Sequence, residues 1–400
     1  MKKFNKVFSV MMASVMAASM IAGCGNSDGG AASTGTDSEK GQVADAAVFK
    51  IGAIGPLTGG AAAYGNAVCN AAELAVAEIN ANGGINGYQV MYSKEDDELN
   101  AEKSVNAYNA LKDWGMQILV GSTTSACSIA VSENTKADNM FQLTPSGSAE
   151  DCVKYDNVFR VCFSDPNQGI ASAQYISDHN LATKVGIIYD SSDVYSSGIY
   201  QKFVEESAGK NFEVVSAEAF TQDNNTDFSV QLQKAKDAGA DLVFLPIYYK
   251  DASLILTQAN TMGYSPVFFG VDGLDGILTV ENFDTSLAEG VMLLTPFAAD
   301  ATDDLTVNFV SQYQAKYGEI PNQFAADAYD AVYIIKQAIE SKNLTPDMSI
   351  SDLCENIKSA MTEIEASGLT SAKMTWSANG EPNKEPKAVV IQNGAYVSAQ

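Results

Sequence analysis

The sequence predicts an α/β protein made of two doubly wound, parallel-sheet lobes. Short apolar runs alternate with amphipathic stretches of helical period, and loops rich in Gly, Ser and Thr separate them. The alternation runs through two series of similar length, and 400 residues that are 46% hydrophobic suffice for two cores.

The first series opens with a strand at Phe49–Ile54 and a helix over Asn66–Asn82, whose Ala67, Leu74, Ala75 and Ile79 share one face. Gly83-Gly84-Ile85-Asn86-Gly87 stops that helix and turns the chain. Strand Gln89–Tyr92, helix Ala101–Trp114, strand Gln117–Val120, helix Ile129–Asp138 and strand Met140–Leu143 follow. A second series begins beyond Arg160-Val161-Cys162-Phe163-Ser164. It reads helix Gly169–His179, strand Lys184–Tyr189, helix Ser196–Ala208, strand Glu213–Ala217 and helix Ser229–Ala238. Strand Leu242–Leu245, helix Ala252–Met262 and strand Val267–Phe269 complete it. After a strand at Val291–Leu294 come helices near Leu305–Tyr317, Ala325–Ser341 and Ser351–Glu365. The tail returns to β character at Lys373–Trp376 and Ala388–Gln392. Strands alternating with helices imply parallel sheets covered on both faces.

In open sheets of this kind, ligands bind beyond the carboxyl ends of the strands, where loops feed helix N-termini. Three such loops lie in the first series: Gly55 to Gly65 with Tyr64, Gly121 to Ser125 with Thr123 and Thr124, and Thr144 to Ser148 with Ser146, the last two dense in hydroxyls and small residues. Some of these hydroxyls cap their own helices. Two adjacent loops of this composition also present N–H groups and hydroxyls to one crevice, which suits a carboxylate. The second series supplies an opposite wall: Tyr189-Asp190, Tyr195, Tyr248-Tyr249 and Asp272-Gly273. Aromatic rings there can cover an apolar side chain, and Asp272 can pair with an ammonium.

The N-terminus sets the compartment. Met1-Lys2-Lys3-Phe4-Asn5-Lys6 is a basic start before an apolar stretch from Val7 to Ala22, the shape of a secretory leader over residues 1–23. Ile21-Ala22-Gly23-Cys24 resembles the bacterial lipobox, which implies diacylation of the Cys24 thiol and a new N-terminus at that residue. Residues 24–47 are mostly Gly, Ala, Ser, Thr and Asp, with little to bury, and read as a flexible tether. Removal of the three leader lysines takes the formal charge from −25 to −28. So acidic a body argues against nucleic acid and against a basic membrane-binding face. Beyond Cys24 stand Cys69, Cys127, Cys152, Cys162 and Cys354, an odd set without CxxC spacing, hence neither a zinc motif nor a disulfide framework. Cys127 and Cys152 can pair if the intervening βα unit brings them together; buried thiols are the plainer reading of Cys69 and Cys162.

Several segments together resemble the branched-chain amino-acid-binding proteins of ABC transporters, the Leu/Ile/Val-binding branch of the type I periplasmic-binding fold. They are Ile51 to Gly59 with Tyr64-Gly65, Ala77-Glu78-Ile79-Asn80 running into Gly83 to Gly87, Glu95-Asp96-Asp97, Val120-Gly121-Ser122, Thr144-Pro145-Ser146, and Tyr195 with Gly198. The resemblance spans about Val48 to Val397. It implies two lobes joined by a three-strand hinge, crossing near Ser164, near Thr295 and near Ala366–Thr370, which close on ligand. The lobes would be 48–164 plus 296–368 and 165–295 plus 369–400. By position it implies that Ser125 and Ser148 hold the ligand's carboxylate and ammonium through hydroxyl and N–H groups, beside the Ser146 carbonyl. It puts Asp272 at the ammonium, where Glu is the more usual residue. Tyr195 and Tyr248 would cover the ligand, with Tyr64 at the mouth and Phe324 along the apolar part. Thr123 and Thr124 are more polar than an aliphatic pocket uses, and the loop at Asp97 lacks the Cys that pairs there in some relatives. The implied function is capture of a neutral, branched-chain amino acid by a monomeric, cofactor-free lipoprotein on the outer face of the cell membrane, which delivers it to ABC permease subunits.

Other readings find less in the chain. The one imidazole, His179, lies near a helix end without a serine elbow, so Ser-His chemistry lacks its base. No GxGxxG follows the first strand and no GxxxxGK[ST] occurs. A metal would have to be held by carboxylates such as Glu95 to Glu98, a run that reads as a solvated loop. A sensor of the same fold needs the same site, and a sugar pocket would use stacking Trp, whereas Trp114 and Trp376 fall outside the expected crevice.

Overall fold

The computed structural model describes residues 47–399; the leader 1–23, Cys24 and the tether to residue 46 lie outside them. Two sheets organise the chain. The first is wholly parallel, in the order β2 (Val90–Asp96), β1 (Phe49–Gly55), β3 (Ile118–Val120), β4 (Phe141–Thr144), β5 (Val158–Arg160). In the second, β10 (Met292–Thr295), β9 (Val267–Gly270), β8 (Leu242–Leu245), β6 (Lys184–Asp190) and β7 (Glu213–Phe220) lie parallel in that order. Two antiparallel strands, β11 (Lys387–Gln392) and β12 (Ala395–Ser398), extend its β10 edge. Asn393 and Gly394 make the two-residue turn between them, both at positive φ, the conformation a tight hairpin requires. The Lys373–Trp376 stretch, expected to be β, forms only isolated bridges, Ala366 with Met374 and Trp376 with Pro382. Its backbone is committed elsewhere: the Lys373 N–H donates to Ser371 Oγ at 3.2 Å and the Thr375 N–H to Asn383 Oδ1 at 2.8 Å.

The crossover helices are α1 (Ala62–Ala81), α2 (Ala101–Trp114), α3 (Ser125–Asp138), α4 (Asp165–Asp178), α5 (Val194–Ser207), α6 (Ser229–Asp237) and α7 (Tyr249–Thr261). After β10 the chain leaves the second sheet for α8 (Asp304–Tyr317), α9 (Gln323–Ser341) and α10 (Ile350–Met361) before re-entering it at β11. α8 and α9 pack on α1, and α10 packs on α9 and β4. α1 is buried on both flanks, by β1 and by α9, so its apolar face is wider than one stripe; Ala71, Ala72, Ala75 and Val76 are all interior. Small side chains let the two helices approach closely.

Four helices begin three or four residues before their expected starts: α1 at Ala62, α3 at Ser125, α4 at Asp165 and α7 at Tyr249. Their first turns are dominated by small and polar residues, as in Ser125-Ala126-Cys127-Ser128 and Asp165-Pro166-Asn167-Gln168, which carry no apolar periodicity and so read as loop. Gly65 in the first turn of α1 is fixed by contact, since a Cβ there would sit 2.2 Å from the Pro56 carbonyl oxygen. Cys69, Cys127, Cys152, Cys162 and Cys354 are all free and buried. The Cys127–Cys152 pairing is therefore absent; the Cys152 thiol instead faces the Ser125 carbonyl at 3.6 Å. Among the described residues no helix is long and apolar enough to cross a membrane, and no three metal-ligating side chains cluster.

Candidate ligand-binding site

Strand ends of both sheets open onto one cleft of about 240 Å³, its mouth included. Tyr64, Thr123, Thr124, Ser125, Ser146 and Ser148 line one wall; Tyr195, Tyr248, Asp272 and Gly273 line the other, with Phe324 from the start of α9. The structure thus gathers at the cleft Gly273 and the ten residues expected to bind ligand, whereas Tyr189, Asp190 and Tyr249, also read as part of the second wall, do not line it. Neither Trp114 nor Trp376 lines the cleft.

The first wall is a hydroxyl cluster at the N-terminus of α3. Thr124 is the N-cap residue in extended conformation, and Ser125 is the first helical residue. Most hydroxyls here have internal work. Thr123 Oγ1 donates to the Ile54 carbonyl at 3.2 Å, and Ser146 Oγ to the Thr123 carbonyl at 2.6 Å. Ser125 Oγ accepts the N–H groups of Ser148 (3.2 Å) and Ala149 (3.1 Å), which leaves its own proton to donate. The Ser148 N–H, expected to face a ligand, is therefore used inside the wall. Thr124 Oγ1 and Ser148 Oγ are buried without a partner among the described residues. Buried hydroxyls are normally satisfied; Thr124 Oγ1 lies by the Cys127 thiol and Ser148 Oγ by the Asp165 carboxyl. The unpaired N–H groups of the first turn of α3 add a positive dipole end beside them.

The opposite wall is acidic and aromatic. Asp272, 3% exposed, accepts the Tyr195 hydroxyl at 2.6 Å, and its N–H donates to Gln168 Oε1 at 3.1 Å. Burial pushes the Asp272 carboxyl up to about 7, with the Tyr195 and Gln168 hydrogen bonds acting the other way. Asp193, beside Tyr248, is pushed to about 6, again chiefly by burial. Asp165, at the start of α4, is buried beside the Ser148 hydroxyl, with neither carboxyl oxygen in good hydrogen-bond geometry among the described residues; burial drives it well above the usual carboxylate range, and Ser148 acts the other way. Tyr195 and Tyr248 stack with centroids 5.1 Å apart, and Tyr64 lies 4.3 Å from Phe324. Tyr64 ties the walls together, donating its hydroxyl to the Gly273 carbonyl and accepting the Tyr249 N–H at 3.2 Å. Gln323 Nε2 adds a bond to the Asp272 carbonyl at 3.0 Å.

Arg160 escaped the sequence reading of the site. Fully buried, it donates to the carbonyls of Gly147 (3.0 Å), Ser148 (2.5 Å), Ala149 (3.0 Å) and Glu150 (3.4 Å) and pairs with Glu381 at 2.9 Å. It holds the 147–150 loop from behind, so the one arginine of the chain is spent on the frame of the site. The signal was present: a lone arginine inside the apolar run Phe159–Phe163 must be buried, and a buried guanidinium needs partners. Asp165 and Gln168 were missed because the first turn of α4 was read as loop.

Chemically the cleft offers hydroxyls and a helix N-terminus on one side, a carboxyl on the other, and aromatic faces between. Such an arrangement accepts a small molecule with an anionic end, a cationic end and a compact body. Residues 48–394 match the family described as periplasmic binding protein. The chain is 31% identical over 300 residues to the Leu/Ile/Val-binding protein homolog 3 of Brucella melitensis, covering 74% of this chain and 80% of that one. With the Leu/Ile/Val-binding protein BraC3 of Rhizobium johnstonii it shares 29% over 334 residues, 83% and 88% of the two chains. Among solved structures, the branched-chain amino acid transporter substrate-binding protein LivJ of Streptococcus pneumoniae, in complex with isoleucine, superposes with a TM-score of 0.80 at 28% identity, over 88% of this chain and 99% of that one.

Proposed function

We propose a function from one premise: this chain belongs to the periplasmic binding protein family, whose members of the branched-chain amino-acid type matched here bind solutes and are not enzymes. On this reading the protein captures a neutral α-amino acid of the branched-chain class in the cleft and hands it to the permease subunits of an ABC importer. One observation carries the ligand assignment: the hydroxyl-lined N-terminus of α3 faces a buried acid, Asp272, across the cleft. The α-carboxylate takes the α3 N–H groups and the Ser125 and Ser148 hydroxyls. The α-ammonium takes Asp272 and the Ser146 carbonyl. Tyr64, Tyr195, Tyr248 and Phe324 cover the side chain and exclude water.

Residues 48–164 plus 296–368 form one lobe and 165–295 plus 369–400 the other. Ligand touches both, so it shifts the population of the hinge toward the closed form by its differential affinity. A permease then reads the closed pair of lobe surfaces. The protein acts as a monomer, held at the outer face of the membrane by lipid on Cys24. Titration calorimetry with amino acids on the purified protein tests the assignment. A neutral amino acid binds, and Ser125→Ala weakens it by about 1.5–3 kcal/mol, one charge-assisted hydrogen bond. Undiminished affinity in a folded Ser125→Ala protein removes that residue from the site. Mass spectrometry of the secreted protein tests the anchor through the added lipid mass on Cys24.

A further inference from the structure

Resting on the two-lobe reading above, we infer that Tyr249 and Asp275 are positioning residues that set ligand affinity without touching ligand. Each reaches from one lobe to cap a helix of the other, and so stabilises the closed form. Neither residue lines the cleft. The capped helices belong to the first sheet: α1 packs on β1, and α9 packs on α1 and β3. The capping side chains belong to the second sheet, where Tyr249 opens α7 after β8 and Asp275 follows β9.

The first N–H groups of a helix find no partner within it. In α1 the N-cap residue is Ala61, whose side chain cannot accept one, and the Ala63 N–H donates instead to Tyr249 Oη at 3.2 Å. In α9 the N-cap Asn322 accepts the Ala325 N–H at 3.1 Å. That leaves the N–H of Gln323, the first helical residue, which donates to Asp275 Oδ2 at 2.9 Å. An acid at this end of a helix also meets its positive dipole end. Both capping residues are buried. Two helix starts of one lobe are thus completed by side chains of the other.

The same segments make further bonds to each other. Tyr64 donates to the Gly273 carbonyl and accepts the Tyr249 N–H, and Gln323 Nε2 donates to the Asp272 carbonyl. The Tyr64 and Tyr249 rings meet edge to face with centroids 4.9 Å apart. All of these contacts join protein to protein, and separation of the lobes breaks every one. A bond made only in the closed form tightens apparent affinity by its share of the closing free energy, whether or not it touches ligand.

The spacing of the lobes reads the latch directly. Ala110 of α2 and Gln233 of α6 are exposed, one on each lobe, so spin labels on Ala110→Cys and Gln233→Cys report it by pulsed electron resonance. The ligand-free protein is expected to show a short, closed distance beside a longer one. Tyr249→Phe, which loses only the hydroxyl, and Asp275→Ala each shift the distribution toward the longer distance. Asp275→Asn keeps an acceptor at the cap and stays near wild type. With leucine, isoleucine and valine as probes, the two disruptive variants bind about two- to thirtyfold more weakly, through faster release and not slower capture. Identical distances in wild type, Tyr249→Phe and Asp275→Ala overturn the inference, and so does an unchanged release rate in both variants. Tyr249→Phe keeps its ring packed and decides the matter if Asp275→Ala unfolds. If the distances shift as expected while none of the three amino acids binds, the latch stands and the amino-acid reading alone falls.

Discussion

Asp272→Asn should separate the stability of the empty protein from its affinity for ligand. The substitution keeps shape and can retain the bond from the Tyr195 hydroxyl, made at 2.6 Å in the native protein, while removing the charge. Burial moves the carboxyl from its ordinary 3.8 to about 7, which corresponds to roughly 4 kcal/mol against ionisation in the empty cleft. The sign follows from proton uptake. Between about pH 4 and 7 the folded protein holds a proton that the unfolded chain has lost, so the stability of the empty protein falls as pH rises through this window. The Asn variant lacks that slope. It should therefore match wild type near pH 4 and exceed it at pH 8, by up to about 4 kcal/mol, and the difference between the two proteins cancels the other buried acids. Affinity moves the opposite way. Loss of the charge-assisted bond to the ammonium costs about 1.5–3 kcal/mol, roughly ten- to a hundredfold in Kd. Urea unfolding at pH 5 and pH 8, with calorimetry at pH 8, reads both effects. Unchanged affinity in Asp272→Asn, or a stability difference that ignores pH, would refute the reasoning.

Further consequences concern the frame of the site. Lys384 is 3% exposed, bonds Thr370 Oγ1 at 2.6 Å and pairs with Asp327; Lys384→Met leaves that acid alone and should cost about 3–5 kcal/mol in urea unfolding, less at pH 5, where Asp327, already pushed to about 6 by burial, takes a proton. Arg160→Met strips a donor from four loop carbonyls and should destabilise by about 3 kcal/mol or more. Glu381→Gln removes only the half-buried partner and should cost about 1 kcal/mol by the same assay. Gly65→Ala drives a Cβ into the Pro56 backbone and should cost about 1–3 kcal/mol; because Tyr64 is its neighbour, calorimetry should also show weaker ligand binding.

The periodic parts of the fold were legible in the sequence. Leu242–Leu245 and Ala101–Trp114 have the same bounds in sequence and structure, because an apolar run and a helix with a polar N-cap (Asn100) and Gly115 beyond its end declare themselves. The first turns of α1, α3, α4 and α7 did not, since Ser, Thr, Ala and Asp serve loops and helix starts alike. That ambiguity hid Asp165 and Gln168. Strand β12 was overlooked although Asn393-Gly394 is a hairpin signal, its four residues being too few to show alternation. Nine of the ten residues gathered at the cleft lie in loops or first helical turns after strands and were found by that position; Phe324, at the start of α9, came from the family resemblance alone. What sequence alone did not expose was their hydrogen-bond accounting: that Ser125 serves the Ser148 N–H and that Arg160 braces the loop behind it. Such facts depend on contacts between residues distant in the chain, which no local pattern encodes.

The most direct measurement is a thermal-shift screen of the purified protein against the common amino acids, with sugars and amides alongside. A ligand that binds only the folded state stabilises it by mass action, by about 2.7 kcal/mol at a hundredfold excess over Kd. A raised midpoint with a neutral α-amino acid, abolished or much reduced in Asp272→Asn, is the predicted result. A midpoint that no amino acid moves, but that a sugar or amide raises, would contradict the account.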